Sequence, residues 1–312
     1  MSMERRDFLR TTLTLGAAAW FAPRISLGQA TDPLVQSRED ARKKAIFTYK
    51  LYDNVYLLQG AGGNMAVQTG PDGRTLIDSS FSTASETLLA TLNSLGKDSN
   101  HLLINTHWHF DHTDGNQAMH KAGFTIVAHQ RTRDRLSAPQ TVKLLNVSLP
   151  ASPVDALPVM TFQQELHLWQ NGDSLDLMHF EPAHTDSDIY IHFHKADVIH
   201  LGDIWFNGLY PFIDEGSGGT IGGMIRATER SLTLVGNTTK IIPGHGRPGL
   251  KLDLLRYFDL LRAVRDKVSA IKATGASEAE TLSRKPTAAF DEKWGKGLLT
   301  PDQFVGIVYR TL

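Results

Sequence analysis

A short stretch at residues 105–116, NTHWHFDHTDGN, constrains this chain more than any other part of it. It follows an apolar run typical of a buried strand, and it carries His107, His109, Asp111 and His112. The two-residue spacing of His107 and His109 puts both side chains on one face of an extended backbone, where they can hold one ion. Asp111 and His112 are adjacent, so in a loop they can face a second position. The pattern favours a metal site over a charged surface loop, and the spacing differs from that of a helical HExxH site.

The composition limits how such a site is built. The sequence has no cysteine, which excludes disulfides, thiolate ligands and a cysteine nucleophile, so any metal must be held by histidine and carboxylate. The formal net charge of −1 gives no positive excess. A broad nucleic-acid surface or a polybasic membrane surface is therefore not expected. Trp108 and Phe110 alternate with the histidines and are expected to point away from them, into the core.

The N-terminus resembles a twin-arginine (Tat) export signal. Arg5 and Arg6 precede a short apolar run at residues 11–22, and small residues follow at Gly28 and Ala30. The run is too short for a transmembrane helix, so no stable membrane anchor is expected. We expect residues 1–30 to be removed, with the Tat export machinery as a partner and the periplasm as the destination. The alternative is a basic N-terminal helix.

The rest of the chain alternates strands and helices, which predicts a layered α/β fold. Hairpins are expected around residues 70–73 and 171–173, and a helix with Ser85 as its cap is expected at residues 84–96. Residues 31–44 form a polar lead-in, residues 45–250 one α/β domain, and residues 251–312 a helical extension packed on that domain. The extension opens with an amphipathic stripe read as core contact, comprising Leu254, Leu255, Phe258, Leu261 and Val268.

Three further residues of types that bind metals follow the ends of predicted strands. His184 lies in EPAHTDSD, Asp203 in LGD and His245 in PGHG. Loops that follow strands are where α/β sheets usually build their sites, so these residues are expected to share a cleft with the opening stretch.

The ordered set His107-x-His109-x-Asp111-His112, His184, Asp203 and His245 resembles the metallo-β-lactamase superfamily. The resemblance covers about residues 45–250. It implies a four-layer αββα sandwich with metals at one edge, here with additional C-terminal helices. It also implies that His107, His109 and His184 hold a first metal, that Asp111, His112 and His245 hold a second, and that Asp203 bridges the two. Asp111 would orient a bridging hydroxide. Two Zn²⁺ are expected, although histidine and carboxylate also suit iron and manganese.

The expected function is that of an exported dinuclear zinc hydrolase in which the hydroxide attacks the carbonyl of a small β-lactam, lactone or thioester substrate. His109 stands where the flavin-linked di-iron reductases of the superfamily carry glutamate. Asp203 stands where true metallo-β-lactamases usually carry cysteine or serine. The chain also lacks the long extra domains of alkylsulfatases. A phosphodiesterase, an iron-dependent oxidoreductase like the persulfide dioxygenases, and a binding protein with a closed site remain alternatives.

Several roles stay open at the level of the sequence. HTDSD replaces the frequent His-Thr-Pro-Gly-His pattern, and Asp186 and Asp188 either support the ligands or repel anionic substrates. His129 and His200 are either structural or support the site. Tyr210, Trp205 and Phe212, with the 208–220 loop, either wall the pocket or belong to the core. The oligomeric state is not indicated. The other histidines are read as surface or strand-edge residues; they are His101, His120, His167, His179, His192 and His194.

Overall fold

The computed structural model describes residues 32–312, so the predicted export signal lies outside the described residues. Two large β-sheets form the centre of the fold. The first has seven strands in the order β1-β2-β3-β4-β5-β6-β9, and the second has five in the order β10-β11-β12-β13-β15. Two smaller sheets pair β7 with β8 and β14 with β16.

The strands of the first sheet are β1 Phe47–Lys50, β2 Val55–Gln59, β3 Met65–Gln68, β4 Arg74–Ile77, β5 Asn100–Ile104, β6 Thr125–His129 and β9 Met160–Phe162. Those of the second are β10 Glu165–Gln170, β11 Asp173–His179, β12 Ile189–Phe193, β13 Val198–His200 and β15 Lys240–Ile242. The short strands are β7 Gln140–Val142, β8 Val147–Leu149, β14 Phe206–Asn207 and β16 His245–Gly246.

The helices are α1 Pro33–Arg42, α2 Ser85–Ser94, α3 Phe110–Thr113, α4 Asn116–Lys121, α5 Gln130–Leu136, α6 Ile221–Leu234, α7 Lys251–Lys272, α8 Glu278–Ser283, α9 Asp291–Trp294 and α10 Pro301–Arg310. Within residues 32–312, no helix combines the length and apolar character needed to cross a membrane.

The two large sheets and the helices outside them make four layers. One core cluster joins the facing surfaces of the sheets, with Ile77 and Val127 from the first and Leu177 and Ile191 from the second. The other surface of the first sheet packs on α2 and α4. The second sheet and the helices α6, α7 and α10 share a larger cluster. The mixed α/β fold with extra C-terminal helices therefore agrees with the prediction, because each sheet buries apolar residues on both of its faces.

Parallel pairing brings the site-bearing loops to one edge. Strands β4, β5 and β6 run parallel, and so do β13 and β15. The carboxyl ends of parallel strands meet at the same edge of a sheet, which is where open α/β folds place their sites. The chain leaves β5 toward His107, β13 toward Asp203 and β15 toward His245.

Both predicted hairpins are confirmed, since β3 pairs with β4 and β10 with β11 in antiparallel register. Two finer predictions are wrong. Ser85 is the first residue of α2 rather than its cap, because a 3₁₀ turn at Ser82–Ala84 leads directly into the helix. Leu255 is 41% exposed and lies outside the buried stripe of α7.

The polar lead-in contains a helix, α1. Asp32 caps it by accepting a hydrogen bond from the backbone N–H of Leu34, and Pro33 occupies its first turn. Arg38 of this helix pairs with Asp114, which places α1 against the loop of the opening stretch. The Asp114 carboxylate is thus paired with an arginine and lies outside the groups of predicted ligands.

Candidate metal centre

The seven predicted ligand residues lie together at the strand ends described above. Their ligand atoms form two groups, in each of which all atoms lie within 4.8 Å of one another. The first group contains His107, His109 and His184, with Asp203 beside them, and the second contains Asp111, His112 and His245. The structure thus brings all seven residues together in these two groups, and their roles as metal ligands stay a prediction.

The first group is buried and its nitrogens converge. His109 Nδ1 lies 3.1 Å from His107 Nε2 and 2.8 Å from His184 Nε2. Ligand atoms at 2.0–2.1 Å from a tetrahedral ion would be separated by ~3.3 Å. Three imidazole nitrogens at such separations match the spacing that a shared ion requires.

The second group lies at the mouth of the site. Asp111 Oδ2 is 3.6 Å from His112 Nε2 and 3.3 Å from His245 Nε2. The side chains of Asp111 and His245 are 20% and 26% exposed, whereas His107, His109, His112, His184 and Asp203 are exposed by 5% or less. Solvent therefore reaches the centre from the side of the second group.

Asp203 spans the two groups with its carboxylate. Its Oδ2 lies 3.4 Å from His184 Nε2 and 3.4 Å from His245 Nε2, and its Oδ1 lies 3.2 Å from His112 Nε2. One carboxylate thus faces ligand nitrogens of both groups, which is the position a bridging ligand needs.

Two buried polar atoms of the cluster indicate whether a divalent cation fits the site. His112 Nε2 and Asp203 Oδ1 are fully buried. They lie 3.2 Å apart, but their orientation forms no hydrogen bond, either between them or to another group in the described part of the chain. Leaving such polar atoms unsatisfied normally costs about 1–3 kcal/mol each. A divalent ion would satisfy both atoms, so the residues present fit a divalent metal centre.

The outer nitrogen of each buried histidine is fixed by a partner. His184 Nδ1 donates to the carbonyl of Phe212 at 2.8 Å, and His109 Nε2 is 3.1 Å from Asp214 Oδ2. His112 Nδ1 lies 2.8 Å from Asp78 Oδ2. Such partners set the tautomer and leave the other nitrogen free to bind metal. His184 and His112 therefore offer Nε2, while His109 offers Nδ1.

His107 belongs to the same network through a hydroxyl. Its Nδ1 lies 3.0 Å from Thr106 Oγ1, and that hydroxyl donates to Asp78 Oδ2 at 2.7 Å. Asp78 thus serves His107 and His112 together and connects the two groups behind the site.

Burial and charge set opposite protonation tendencies in the two groups. Burial lowers the pKa of His107 well below its usual value and that of His184 to about 4, so both stay neutral and ready to bind metal. Burial also acts to lower the pKa of His245, but Asp203 and Asp111 outweigh it and raise it to about 9. Against the opposing effect of burial, His112 and His245 lower the pKa of Asp111 to about 2. The second group therefore favours a positive charge between the carboxylates of Asp111 and Asp203.

Two glycines allow the close packing around the ligands. A Cβ at Gly63 would lie 2.0 Å from the His112 ring, and one at Gly244 would lie 1.9 Å from Asp203 Oδ1. A side chain at either position would displace His112 or Asp203, so the observed arrangement of these two residues requires glycine at positions 63 and 244.

The HTDSD loop supports the ligands. Asp188 Oδ2 accepts the backbone N–H groups of His184 and Thr185, each at 2.8 Å, and its other oxygen accepts the Thr185 hydroxyl. Burial raises the pKa of Asp188 to about 7, against these hydrogen bonds. Asp186 instead pairs with Arg131 and Arg135, so its charge is compensated.

The aromatic residues left open by the sequence are buried. Trp108 and Phe110 pack in the core as expected, and Trp205 and Tyr210 are buried with them. Phe212 is also buried, yet its ring centroid lies 5.7 Å from those of both His109 and His184, so it forms part of the wall behind the first group.

His129 and His200 lie outside the ligand set. His129 stacks on His179 with ring centroids 3.9 Å apart. His200 Nε2 donates to the carbonyl of Asn64, and its Nδ1 accepts the N–H of Gly202, the residue before Asp203. His200 therefore supports the backbone that carries Asp203.

A second set of histidines lies on the outer surface of the second sheet. His167 Nδ1 and His194 Nε2 bind the two oxygens of Asp176, at 2.6 and 2.7 Å, and the ring of His192 lies 4.3 Å from that of His194. We call His167, Asp176, His192 and His194 the surface cluster. These histidines lie on a sheet surface, as the sequence predicted, and apart from the seven ligand residues.

Reasoning from the sequence missed Asp78 and Asp214. Asp78 directly follows β4, next to the parallel strand β5, so its position beside the site was available from the strand pattern. Asp214 lies within the 208–220 loop, and no local pattern identifies it.

Comparisons with known proteins agree with this architecture. The model of the metallo-beta-lactamase superfamily matches residues 54–246. A metallo-beta-lactamase from Pontibacter korlensis aligns at 17% identity and TM-score 0.58. The alignment covers 70% of this chain and 99% of the Pontibacter korlensis chain. The DIM-1 metallo-beta-lactamase aligns at 19% identity and TM-score 0.55, covering 70% and 97%.

A longer similarity links the chain to the stereoselective inverting sec-alkylsulfatase Pisa1 from Pseudomonas sp. The identity is 18% and the TM-score 0.63, and the match covers 89% of this chain but 51% of the sulfatase. This chain thus corresponds to about half of that enzyme. No curated protein matches the sequence.

Proposed function

The chain belongs to the metallo-beta-lactamase superfamily, and on that premise we propose that it is an exported dinuclear zinc hydrolase acting on a small β-lactam, lactone or thioester substrate. The observation that carries the proposal is the position of Asp203, whose carboxylate faces His184 of the first group and both His112 and His245 of the second. A single carboxylate shared by two ligand groups favours a two-metal centre.

Two zinc ions bound there would supply a hydroxide nucleophile near neutral pH and a Lewis acid for the carbonyl oxygen. The protein's own contribution is to fix the ligands and shape the approach. Asp111, at the solvent side, can accept a hydrogen bond from the attacking water or hydroxide and orient it. Phe206 stacks on His245 with ring centroids 5.2 Å apart and is itself buried, so it packs against the more exposed His245 ring and limits its movement.

Export is part of the proposal and is supported by the sequence. Arg5, Arg6 and the following apolar run are typical of Tat substrates, and α1 begins at Pro33, just after the expected cleavage site. Folding before export would allow the metals to be acquired in the cytoplasm. Fractionation of cells that express the full chain, compared with an Arg5→Lys and Arg6→Lys double variant, tests this. Equal amounts of both proteins in the periplasm would rule out the Tat route.

The catalytic proposal is tested on the mature protein, with elemental analysis of the protein as purified and turnover measured after loading with Zn²⁺. Turnover of nitrocefin, acyl-homoserine lactones, thioesters or bis-p-nitrophenyl phosphate should be lost with chelator and restored by Zn²⁺. Elemental analysis should give two zinc ions per chain. One iron per chain with oxygen uptake would point instead to the oxidoreductase alternative. Turnover of the phosphodiester alone would point to a phosphodiesterase.

A second candidate is hydrolysis of alkyl sulfate esters. It is favoured by one observation, the match to the sec-alkylsulfatase, which extends over 89% of this chain and so beyond the range of the family model. A secondary alkyl sulfate in the same screen decides between the two, since release of inorganic sulfate without turnover of any carbonyl substrate would replace the first candidate by the second.

A further inference from the structure

Two of the three histidines of the first group depend on one segment for their orientation. Residues 210–221, which we call the brace segment, provide the Phe212 carbonyl that accepts from His184 Nδ1 and the Asp214 carboxylate that binds His109 Nε2. The segment also follows the backbone around His184, because Asp214 N–H donates to the His184 carbonyl at 2.9 Å.

The brace segment has little regular structure to hold it in place. Before α6 it contains one 3₁₀ turn, Glu215–Ser217, and no strand. A segment without ladder hydrogen bonds must satisfy its polar groups and fix its position through other contacts. Its conformation therefore depends on what packs against it.

The C-terminal extension supplies several of these contacts, in addition to those that the segment makes with the backbone around His184. The Tyr210 hydroxyl donates to Asp291 Oδ1 at 2.7 Å, and the Tyr210 backbone N–H donates to the carbonyl of Trp294 at 3.0 Å. The Tyr210 ring stacks on Phe304 of α10, with centroids 4.7 Å apart. The start of the segment is thus held from three directions by residues of the extension.

The same extension holds the rest of the segment. Arg310 pairs with Glu215 at 2.7 Å, and the backbone N–H of Ile221 donates to the Thr311 hydroxyl at 3.2 Å. The contacts at residues 210, 215 and 221 lie on both sides of Phe212 and Asp214. Because the extension lies beyond residues 54–246, the part that the family model matches does not contain these contacts.

We propose that the C-terminal extension positions the first group of metal ligands, with Tyr210 as the positioning residue that joins it to the brace segment. The inference rests on the proposed function only in requiring that the first group binds an ion, and it is independent of the substrate. Tyr210 acts through Phe212 and Asp214, since its own side chain is buried against the extension.

The test measures Zn²⁺ affinity by competition with a chromophoric chelator. The mature protein carries His245→Ala, so that only the first group stays whole. In that background Tyr210→Phe removes the hydroxyl and keeps the ring stack. We expect it to weaken Zn²⁺ binding by up to about 10-fold, the lower end of the effect of losing an outer-sphere partner. In a His184→Ala background, binding by the second group should not change.

Matched variants separate positioning from general stability. Tyr309→Phe also removes a tyrosine hydroxyl from a hydrogen bond, to the Ala276 carbonyl at 2.9 Å, but that bond lies within the extension. It should leave both affinities unchanged. Asp291→Asn keeps an acceptor for Tyr210 and should retain the affinity, whereas Asp291→Ala should reproduce the loss even where Tyr210→Phe fails to fold.

Equal effects of Tyr210→Phe and Tyr309→Phe, or equal weakening of both ligand groups, would overturn the inference. Zinc binding without turnover of any substrate would reject the proposed hydrolase and leave the affinity result valid. A first group that binds no zinc in the His245→Ala parent would overturn the inference and the zinc proposal together.

Discussion

The molecule contains two clusters of histidine and aspartate that differ in burial and in the direction of their histidine nitrogens. The metal centre and the surface cluster each contain a His-x-His pair and an aspartate that contacts two histidines. In the centre, three imidazole nitrogens converge at 2.8–3.1 Å and the outer nitrogens are held by protein groups. In the surface cluster, His167 and His194 are more than 40% exposed and turn their nitrogens to the carboxylate itself.

The difference shows what turns histidines into a metal site. Exposed imidazoles can satisfy themselves with a carboxylate and water, so nothing requires a cation. The buried imidazoles cannot reach water, and their partners leave one nitrogen of each directed toward the other histidines of the centre. Burial and orientation, rather than residue type and spacing, therefore distinguish the centre from its exposed counterpart.

The largest expected effect comes from removing a ligand. His107→Ala should remove one of the three nitrogens of the first group and lower kcat/KM roughly 1,000-fold, because a bound ion supplies several kcal/mol of charge stabilisation. His192→Ala changes the equivalent His-x-His pair of the surface cluster and should leave kcat/KM unchanged. Kinetics together with metal content check both variants. Full activity and two metals in His107→Ala would contradict the assignment of His107.

Much of the centre could be predicted from the sequence because its ligands follow strands. His107, Asp203 and His245 each follow a strand of a large sheet. Parallel pairing brings Asp203 and His245 together at one edge of the second sheet, and the packing of the two sheets adds His107 from the first. The order of these residues along the chain then indicated the family. The hairpins were predictable for a similar reason, since their turn residues determine local geometry.

The partners of the ligands could not be predicted because they depend on tertiary packing. Asp214 lies 105 residues from His109 in sequence, and it meets the ring because the brace segment packs against both the backbone around His184 and the C-terminal extension. For Asp188 the sequence left two roles open, support of the ligands or repulsion of anionic substrates, and only the folded loop shows that it binds the backbone of His184 and Thr185. The helix α1 was missed because its residues are mostly polar, although Asp32 and Pro33 are typical of a helix start.

The next effect concerns stability and compares a buried carboxylate with an exposed one. Asp188→Ala would leave the backbone N–H groups of His184 and Thr185 buried without acceptors, so it should lower the free energy of unfolding by about 3 kcal/mol. Asp176→Ala should change it by less than about 0.5 kcal/mol, because its partners remain in contact with water. Urea unfolding of both variants gives the comparison. Equal losses would show that burial does not separate the two carboxylates.

A smaller effect is expected from an outer-sphere partner. Asp214→Asn keeps the shape of the side chain but removes the charge opposite His109 Nε2, and it should weaken Zn²⁺ binding by about 10- to 100-fold. Asp176→Asn is the same chemical change in the surface cluster and should leave zinc affinity unchanged. Chelator competition measures both. A loss of affinity in Asp176→Asn would mean that the surface cluster communicates with the centre.

The smallest effect is a titration within the surface cluster. The hydrogen bond to Asp176 raises the pKa of His167 above its usual value of 6.5, and the hydrogen bonds from His167 and His194 lower the pKa of Asp176 against the opposing effect of burial. The raised pKa of His167 stabilises the fold at pH values below the pKa that His167 has in the unfolded chain. This contribution is lost as the pH rises through its pKa in the folded protein. The lowered pKa of Asp176 stabilises the fold at pH values above the pKa that Asp176 has in the unfolded chain. This contribution is lost as the pH falls through its pKa in the folded protein. The pair therefore stabilises the fold most at pH values above the unfolded pKa of Asp176 and below the unfolded pKa of His167. NMR titration of the His167 ring should show the raised pKa, and Asp176→Asn should return it toward 6.5, whereas an unchanged titration would mean that Asp176 does not hold the proton of His167.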